Sequence, residues 1–394
     1  MARVLVAMSG GVDSAVAAAL LVEQGHEVTG VHLKLADLPL EEQVPGHGCC
    51  TLDDAQDARR AAQVLGIPFY VWDLSATFER EVQAPFASAY AAGVTPNPCV
   101  TCNERVKYAA LLERATALGF DALATGHHAR LRRAGAPVTE PGPGVALHRA
   151  VDRAKEQSYV LYVATPDQLA RTLLPVGEHT KEDIRACASQ LGLRVAGKPD
   201  SYDVCFIPDG DTAGYLAGRL PTAPGPIVDA DGAVLGSHDG VWRFTVGQRR
   251  GLGLDHHERR FVTDVDATSR TVRVGPRDEL ACTWAEVADP TWTLGTVPTG
   301  PVRVQVRAHG RTVPGRMAPG RTAPPDPHGT PGPTGEGNTG GVRVRLELDE
   351  PVYGLALGQA AVVYDASDEI CLGGGRVVAA ERPAGLPVVA GVRS

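Results

Sequence analysis

Val4-Leu5-Val6-Ala7-Met8 runs straight into Ser9-Gly10-Gly11-Val12-Asp13-Ser14, and residues 15–24 follow as an Ala- and Leu-rich stretch stopped by Gly25. A short β-branched run, a paired-glycine turn and a helix-forming stretch read, in that order, as strand, tight loop and helix. Two glycines let the backbone turn sharply and approach a ligand closely. The N–H groups that open the helix then face an anion, with the helix dipole behind them. No Gly-Lys-Ser/Thr follows, so this is not a Walker A loop. The competing reading is a plain strand-to-helix turn with an Asp or Ser cap.

Working outward, residues 28–33 and 67–74 read as further strands, 53–65 and 107–118 as helices, and 122–125 as a strand ending at Gly126. Helical patterning persists through 166–173 and 181–191. This β-α-β-α order predicts a parallel sheet covered on both faces, with the ligand beyond the carboxyl ends of its strands. Leu33 and Gly126 stand at two such strand ends. After about residue 205 the texture changes to short alternating runs at 241–246, 261–266, 271–274, 302–308, 342–348 and 360–364, and helix patterns vanish. That predicts an α/β parallel-sheet N-terminal domain (1–204), a small β-rich domain (205–278) and a C-terminal β-barrel (279–394). Residues 318–341 hold six Pro and seven Gly and are expected to form a disordered insert, because they offer almost no apolar surface to bury.

A chain of 394 residues fits two or three domains at roughly 150 residues each, and 43% hydrophobic content excludes wholesale disorder. The net charge of −8 taken alone argues against a nucleic-acid partner. Local charge argues the other way: 241–277 carries eight Arg against four acids, and 301–321 carries five Arg and none. Such patches engage phosphates without reading sequence. Asp13 interrupts the only stretch resembling a signal peptide, and no run approaches the ~20 apolar residues that span a bilayer. Eight cysteines are too few for a secreted disulfide framework. A cytoplasmic monomer without a membrane segment is expected.

The cysteines carry the next signal. In Thr95-Pro96-Asn97-Pro98-Cys99-Val100-Thr101-Cys102-Asn103, two prolines hold the chain extended before a helix. If that helix starts at Asn103, Cys102 lies at its N-terminal end, where the dipole lowers a thiol pKa. A second thiol stands in Asp200-Ser201-Tyr202-Asp203-Val204-Cys205-Phe206-Ile207. Cys49-Cys50 sits in a Pro/Gly/His stretch that reads as a surface loop or a gate near the nucleotide. Cys187, Cys282 and Cys371 read as small core residues.

The hexapeptide 9–14 resembles the loop of the ATP pyrophosphatase (PP-loop) superfamily, whose fold is adenine nucleotide alpha hydrolase-like. Together with TPNPxxxCN at 95–103, DSxxxCFI at 200–207, Ala124-Thr125-Gly126-His127-His128, Lys155-Glu156-Gln157-Ser158-Tyr159 and Val246-Gly247-Gln248-Arg249-Arg250-Gly251-Leu252-Gly253, it resembles the tRNA-specific 2-thiouridylase family. The resemblance implies ATP held by Ala7, Met8, Ser9, Gly10, Gly11, Val12, Asp13, Ser14, Leu33 and Gly126. Asp13 would help hold Mg²⁺. It implies adenylation of C2 of a wobble uridine, then attack by a Cys205 persulfide, with Cys102 closing a disulfide. Asn97, Pro98 and Cys99 would contact the target base. His127, Lys155, Glu156, Gln157, Arg307, Ala308 and Gln359 would contact tRNA of the Lys, Glu and Gln types. The sulfur donor would be a relay protein or a cysteine desulfurase.

Many members of the family have Asp where this chain has Cys99. Three cysteines then stand at the site, and three thiolates can hold a [4Fe–4S] cluster with one open iron. Cluster chemistry, three merely structural thiols, and another PP-loop adenylating enzyme such as a lysidine synthase are the alternatives. Ala308 replaces an aromatic residue that is common in the family.

Overall fold

The computed structural model describes residues 1–36, 52–200, 204–207, 209–254, 259–318, 342–380 and 388–389. The expectations for Cys49, Cys50 and insert residues 319–341 therefore fall outside the described residues.

Among these, a parallel five-stranded sheet has the order β3-β2-β1-β4-β8: β1 (Arg3–Ala7), β2 (Glu27–Lys34), β3 (Phe69–Asp73), β4 (Ala122–Thr125) and β8 (Thr172–Leu173). Val4 pairs with Val28 on one side and Ala122 on the other. Strand β1 alternates as a pleated strand must. Val4 and Val6 join the core under α1 (Val12–Glu23), while Leu5 joins the core that holds Val106 and Leu111 of the facing helix. Because chain order reverses across β1, the crevice beyond its carboxyl end is the switch point, and loop 9–14 sits there.

A hairpin of β5 (Ala129–Arg133), with β6 (Ala136–Pro137), and β7 (Ala146–Arg149) follows β4. The central region is a four-stranded sheet ordered β10-β9-β12-β11, from β9 (Gly225–Val228), β10 (Val234–His238), β11 (Phe261–Asp266) and β12 (Thr271–Gly275). The last region has β13 (Ala281–Trp292), β14 (Pro301–Gln305), β15 (Val313–Ala318), β16 (Arg343–Tyr353), β17 (Ala360–Tyr364) and β18 (Ile370–Ala380). Pairing of β13 with both β16 and β18 closes these six into a barrel. Its sheet does not stop there: Ile370 and Cys371 pair with His148 and Leu147, so β18 joins the barrel to the hairpin inserted in the first region. One hydrophobic cluster runs across that joint, containing Leu131 and Tyr159 together with Ala360, Val362, Tyr364 and Cys371.

Three local expectations are corrected. Residues 241–246 are no strand, since Val241–Arg243 forms a single 3₁₀ turn. Val241 and Trp242 are both buried in that turn. A helix, Thr212–Ala217, does occur beyond residue 205, capped by the Asp211 side chain; six residues are too few to show a helical period. The helix expected from Asn103 begins five residues earlier.

Candidate active site

Loop 9–14 is shaped by its own side chains. Ser14 Oγ accepts from the Ser9 amide at 3.1 Å and donates to the Gly11 carbonyl at 3.1 Å. Gly10 has φ +83°, and a Cβ there would lie 2.3 Å from the Asp54 carbonyl oxygen, so only glycine fits. Gly126 closes the loop from the opposite side: its Cβ would stand 2.6 Å from the Ser14 nitrogen. Gly11 is the N-cap of α1 and brings no side-chain cap. The first amides of a helix have no intrahelical acceptor, so this end is left to an anion. Met8 and Leu33 are buried, and Val31 pairs with Ala7, so Leu33 lies beyond the β1 end of the sheet.

Lys181, Lys198 and Asp200, to which the sequence reading gave no role, surround the loop together with His128. Lys181, first residue of the helix Lys181–Gln190, places its Nζ 2.8 and 2.7 Å from the two Asp13 oxygens. His128 Nε2 lies 3.0 Å from Asp13 Oδ1. Burial works against charge on Asp13, but the bonds from His128 and Lys181 outweigh it and hold the carboxyl below its ordinary range. Lys198 Nζ donates to the Gly10 carbonyl at 3.0 Å and reaches Asp54 at 2.7 Å and Asp57 at 2.9 Å. Asp200 binds the same Lys181 at 2.9 Å. Lysines 141 to 188 positions away from Asp13, Gly10, Asp54 and Asp57 carry no sequence period, whereas Asp200 belongs to the cysteine motif.

The cysteine helix runs over 98–117, beginning with Pro98–Thr101 and continuing through a wide-turned segment Cys102–Leu111 and a final Leu112–Ala117. Asn97 caps it, Oδ1 accepting from the Cys99 and Val100 amides at 3.0 and 3.3 Å. Cys99 thus occupies the first turn, while Cys102 stands a turn further in and is buried. This corrects the expectation that Cys102 sits at the helix end: Pro98 pre-sets the helical φ at the first position, and Asn97 supplies the cap.

Cys205 is partly buried and packs against the same hydrophobic cluster as Cys102. Its neighbour Phe206 anchors it, meeting Phe78 and Phe86 edge-on at 5.6 and 5.4 Å. Among the described residues no trio of His, Cys, Asp or Glu is placed to hold a metal ion.

The expected base-contacting stretch is where the three regions meet. The Thr95 amide donates to Leu357 O at 2.9 Å, Gln359 Nε2 donates to Thr95 O at 3.0 Å, and Thr95 Oγ1 donates to Thr245 Oγ1 at 3.2 Å. Of the other expected RNA contacts, Lys155 bonds Asp200 at 2.7 Å, and Arg307 is exposed while holding the Tyr353 and Gly354 carbonyls. Gln157 accepts from the His128 amide at 2.9 Å. Glu156 is turned inward against Arg149 at 2.8 Å, and Ala308 packs against the core. His127 sits 2.7 Å from Thr125 Oγ1 and 3.4 Å from Lys107 Nζ. Enclosure of its ring and the Lys107 charge push its pKa well down, leaving it neutral at pH 7. In the basic segments Arg249, Arg250 and Arg259 are exposed, whereas Arg311 and Arg316 are paired with Glu350 and Glu347.

Residues 2–209 match the family described as tRNA methyl transferase HUP domain, 213–276 its PRC-barrel domain, and 338–377 the aminomethyltransferase beta-barrel domain. A tRNA-specific 2-thiouridylase of Salinispora arenicola is 49% identical over 386 residues, spanning 96% of this chain and 99% of its own. The chain belongs to the tRNA-specific 2-thiouridylase family. A second family member, from Thermobifida fusca, is 50% identical over 92% of each chain. Among solved structures, an NMN synthetase from Francisella tularensis is 18% identical over 51% of this chain and 66% of its own, at a TM-score of 0.31.

Proposed function

We propose that this enzyme makes 2-thiouridine in tRNA by adenylation followed by transfer of a persulfide sulfur. The observation that carries the reading is the combination, in one chain, of a glycine loop at the sheet's switch point with two thiols, Cys102 and Cys205, that contact the same hydrophobic cluster. The amides opening α1 face the phosphates of ATP, while Ala7, Met8, Leu33 and Gly126 line the strand ends where adenine and ribose sit. Uridine O2 attacks the α-phosphorus, pyrophosphate leaves, and C2 gains AMP as a leaving group. Mg²⁺ would accompany the phosphates, with Asp13 as the protein's carboxylate, and would neutralise charge on the departing pyrophosphate.

The terminal sulfur of a Cys205 persulfide then attacks C2 and AMP departs. The Cys102 thiolate attacks the inner Cys205 sulfur, so the S–S bond to the substrate breaks, thiouridine is released and a Cys102–Cys205 disulfide forms. A thiol reductant returns two electrons to reset the pair. Asn97, Pro98 and Cys99 line the base position, and His127, Lys155, Gln157, Arg307 and Gln359 bind tRNA, with Glu156 and Ala308 supporting them from inside. Neutral His127 offers a hydrogen bond rather than a charge. Wobble-uridine tRNAs of the Lys, Glu and Gln types are the substrates, and a sulfur-relay protein or cysteine desulfurase loads Cys205. The protein acts as a cytoplasmic monomer; among the described residues no helix is long and apolar enough to cross a membrane.

The deciding experiment is Cys205→Ser, assayed by nucleoside mass analysis and by AMP release. Thiolation should vanish while tRNA-dependent AMP formation survives. Thiolation by the variant sinks the mechanism.

A further inference from the structure

The segment leading to Cys205 is tied to the phosphate loop through ion pairs that the adenylation and sulfur-transfer steps do not by themselves require. Lys181 Nζ holds Asp13 of the loop at 2.7 Å and, at the same time, Asp200 at 2.9 Å. Asp200 stands five positions before Cys205. It also accepts from Lys155 Nζ at 2.7 Å and Arg185 Nη2 at 3.1 Å. Arg185 in turn donates to the carbonyls of Ala196 at 2.7 Å and Lys198 at 3.0 Å, which straps residues 196–200 onto the helix Lys181–Gln190. Lys198, from that strap, reaches back to the Gly10 carbonyl.

Lys181 is the shared element, with three N–H groups, 12% side-chain exposure and two carboxylates from different segments. Phosphate oxygens arriving at loop 9–14 add further anions on its Asp13 side and compete for the same three donors. Any gain there weakens the hold on Asp200.

We infer that the Lys181–Asp200 ion pair couples nucleotide occupancy of the phosphate loop to the reactivity of Cys205, with Asp200 as a positioning residue for sulfur transfer. This rests on Cys205 being the sulfur carrier. The coupling is reciprocal by thermodynamic linkage: what the nucleotide does to the Cys205 segment, that segment does to nucleotide affinity. Its chemical use is order, since sulfur delivered before the uridine is adenylated meets no leaving group.

The test uses the full-length enzyme, iodoacetamide and peptide mass analysis of Cys205, with and without a non-hydrolysable ATP analogue and Mg²⁺. In the unaltered enzyme the analogue should change the Cys205 alkylation rate by about fivefold or more. Asp200→Asn should bind the analogue within about threefold of normal and lose that response, and Asp200→Glu should recover part of it. If Asp200→Asn does not fold, Arg185→Gln gives the same comparison, because it loosens Asp200 without touching loop 9–14. An unaltered enzyme that shows no response overturns the inference, as does an Asp200→Asn or Arg185→Gln enzyme that keeps the full response. The sulfur-carrier reading fails separately, by thiolation in Cys205→Ser, and leaves the alkylation result standing.

Discussion

Gly126→Ala isolates the part of the site that geometry alone controls. The added Cβ would stand 2.6 Å from the Ser14 nitrogen, 2.7 Å from the Asp13 carbonyl carbon and 2.9 Å from Ser14 Cα. All three are backbone atoms, so no flexible side chain can swing away. Ordinary contact begins near 3.4 Å, and the amide at 13–14 must therefore retreat by about 0.8 Å. That amide opens α1 at the proposed phosphate site, while Asp13 is held by Lys181 and His128 and resists the movement. A displacement near 1 Å in a reacting geometry costs on the order of 100-fold. At 1.36 kcal/mol per decade this is about 2.7 kcal/mol of transition-state stabilisation. The assay is tRNA-dependent AMP release as a function of ATP, with thermal unfolding run in parallel. We expect kcat/KM for ATP to fall about 100-fold with little change in Tm. A Gly126→Ala enzyme within about threefold of normal would refute the claim that Gly126 sets the loop's position.

Three further outcomes follow from the same contacts. Arg149 is buried, paired with Glu156 and Asp368, bonded to Gln305 and stacked 3.7 Å from the Tyr364 ring. Arg149→Met strands the Glu156 carboxylate and should cost roughly 3–5 kcal/mol by denaturant unfolding, with part recovered in the Arg149→Met/Glu156→Gln double variant. Asn97→Ala removes the cap of helix 98–117 and should cost about 1 kcal/mol, whereas Asn97→Asp should retain stability. If Asn97→Asp also keeps full thiolation, the Asn97 amide does not contact the base. For pH, burial opposes charge on Asp200 but bonds from Lys155 and Lys181 hold its carboxyl well below the usual 3.8. A depressed folded pKa means stability present above 3.8 and lost as pH falls below it. The Tm gap between the unaltered enzyme and Asp200→Asn should thus narrow between pH 5 and pH 2; a constant gap removes the ion-pair explanation.

Much of the site was legible in sequence because it lies within short stretches whose residues act locally. Loop 9–14 needs only a strand, two glycines and a helix start, and β4 was read to the residue because four buried side chains ended at Gly126. The helix before Cys102 was misread by five residues because Pro98 looked like a barrier, when Pro is favoured at a helix's first position. Residues 241–246 carried strand-forming side chains that the fold buries consecutively in a turn. Glu156 read as an exposed contact because its partner Arg149 is supplied by the hairpin, seven residues away and on another element.

What the sequence determined by itself is the set of local parts: a glycine loop opening a helix, two thiols in distinctive motifs and arginine-rich segments, each encoded within a few consecutive residues. Only the tertiary structure decided how they are joined. It brings Lys181 and Lys198 onto loop 9–14, carries strand β18 of the barrel across to the hairpin, and clamps Thr95 between Leu357, Gln359 and Thr245. These partners stand from 150 to 264 positions apart in the chain. A charge or a carbonyl at such a distance leaves no period or spacing in the sequence, and is located only when burial of apolar surface has folded the chain around it.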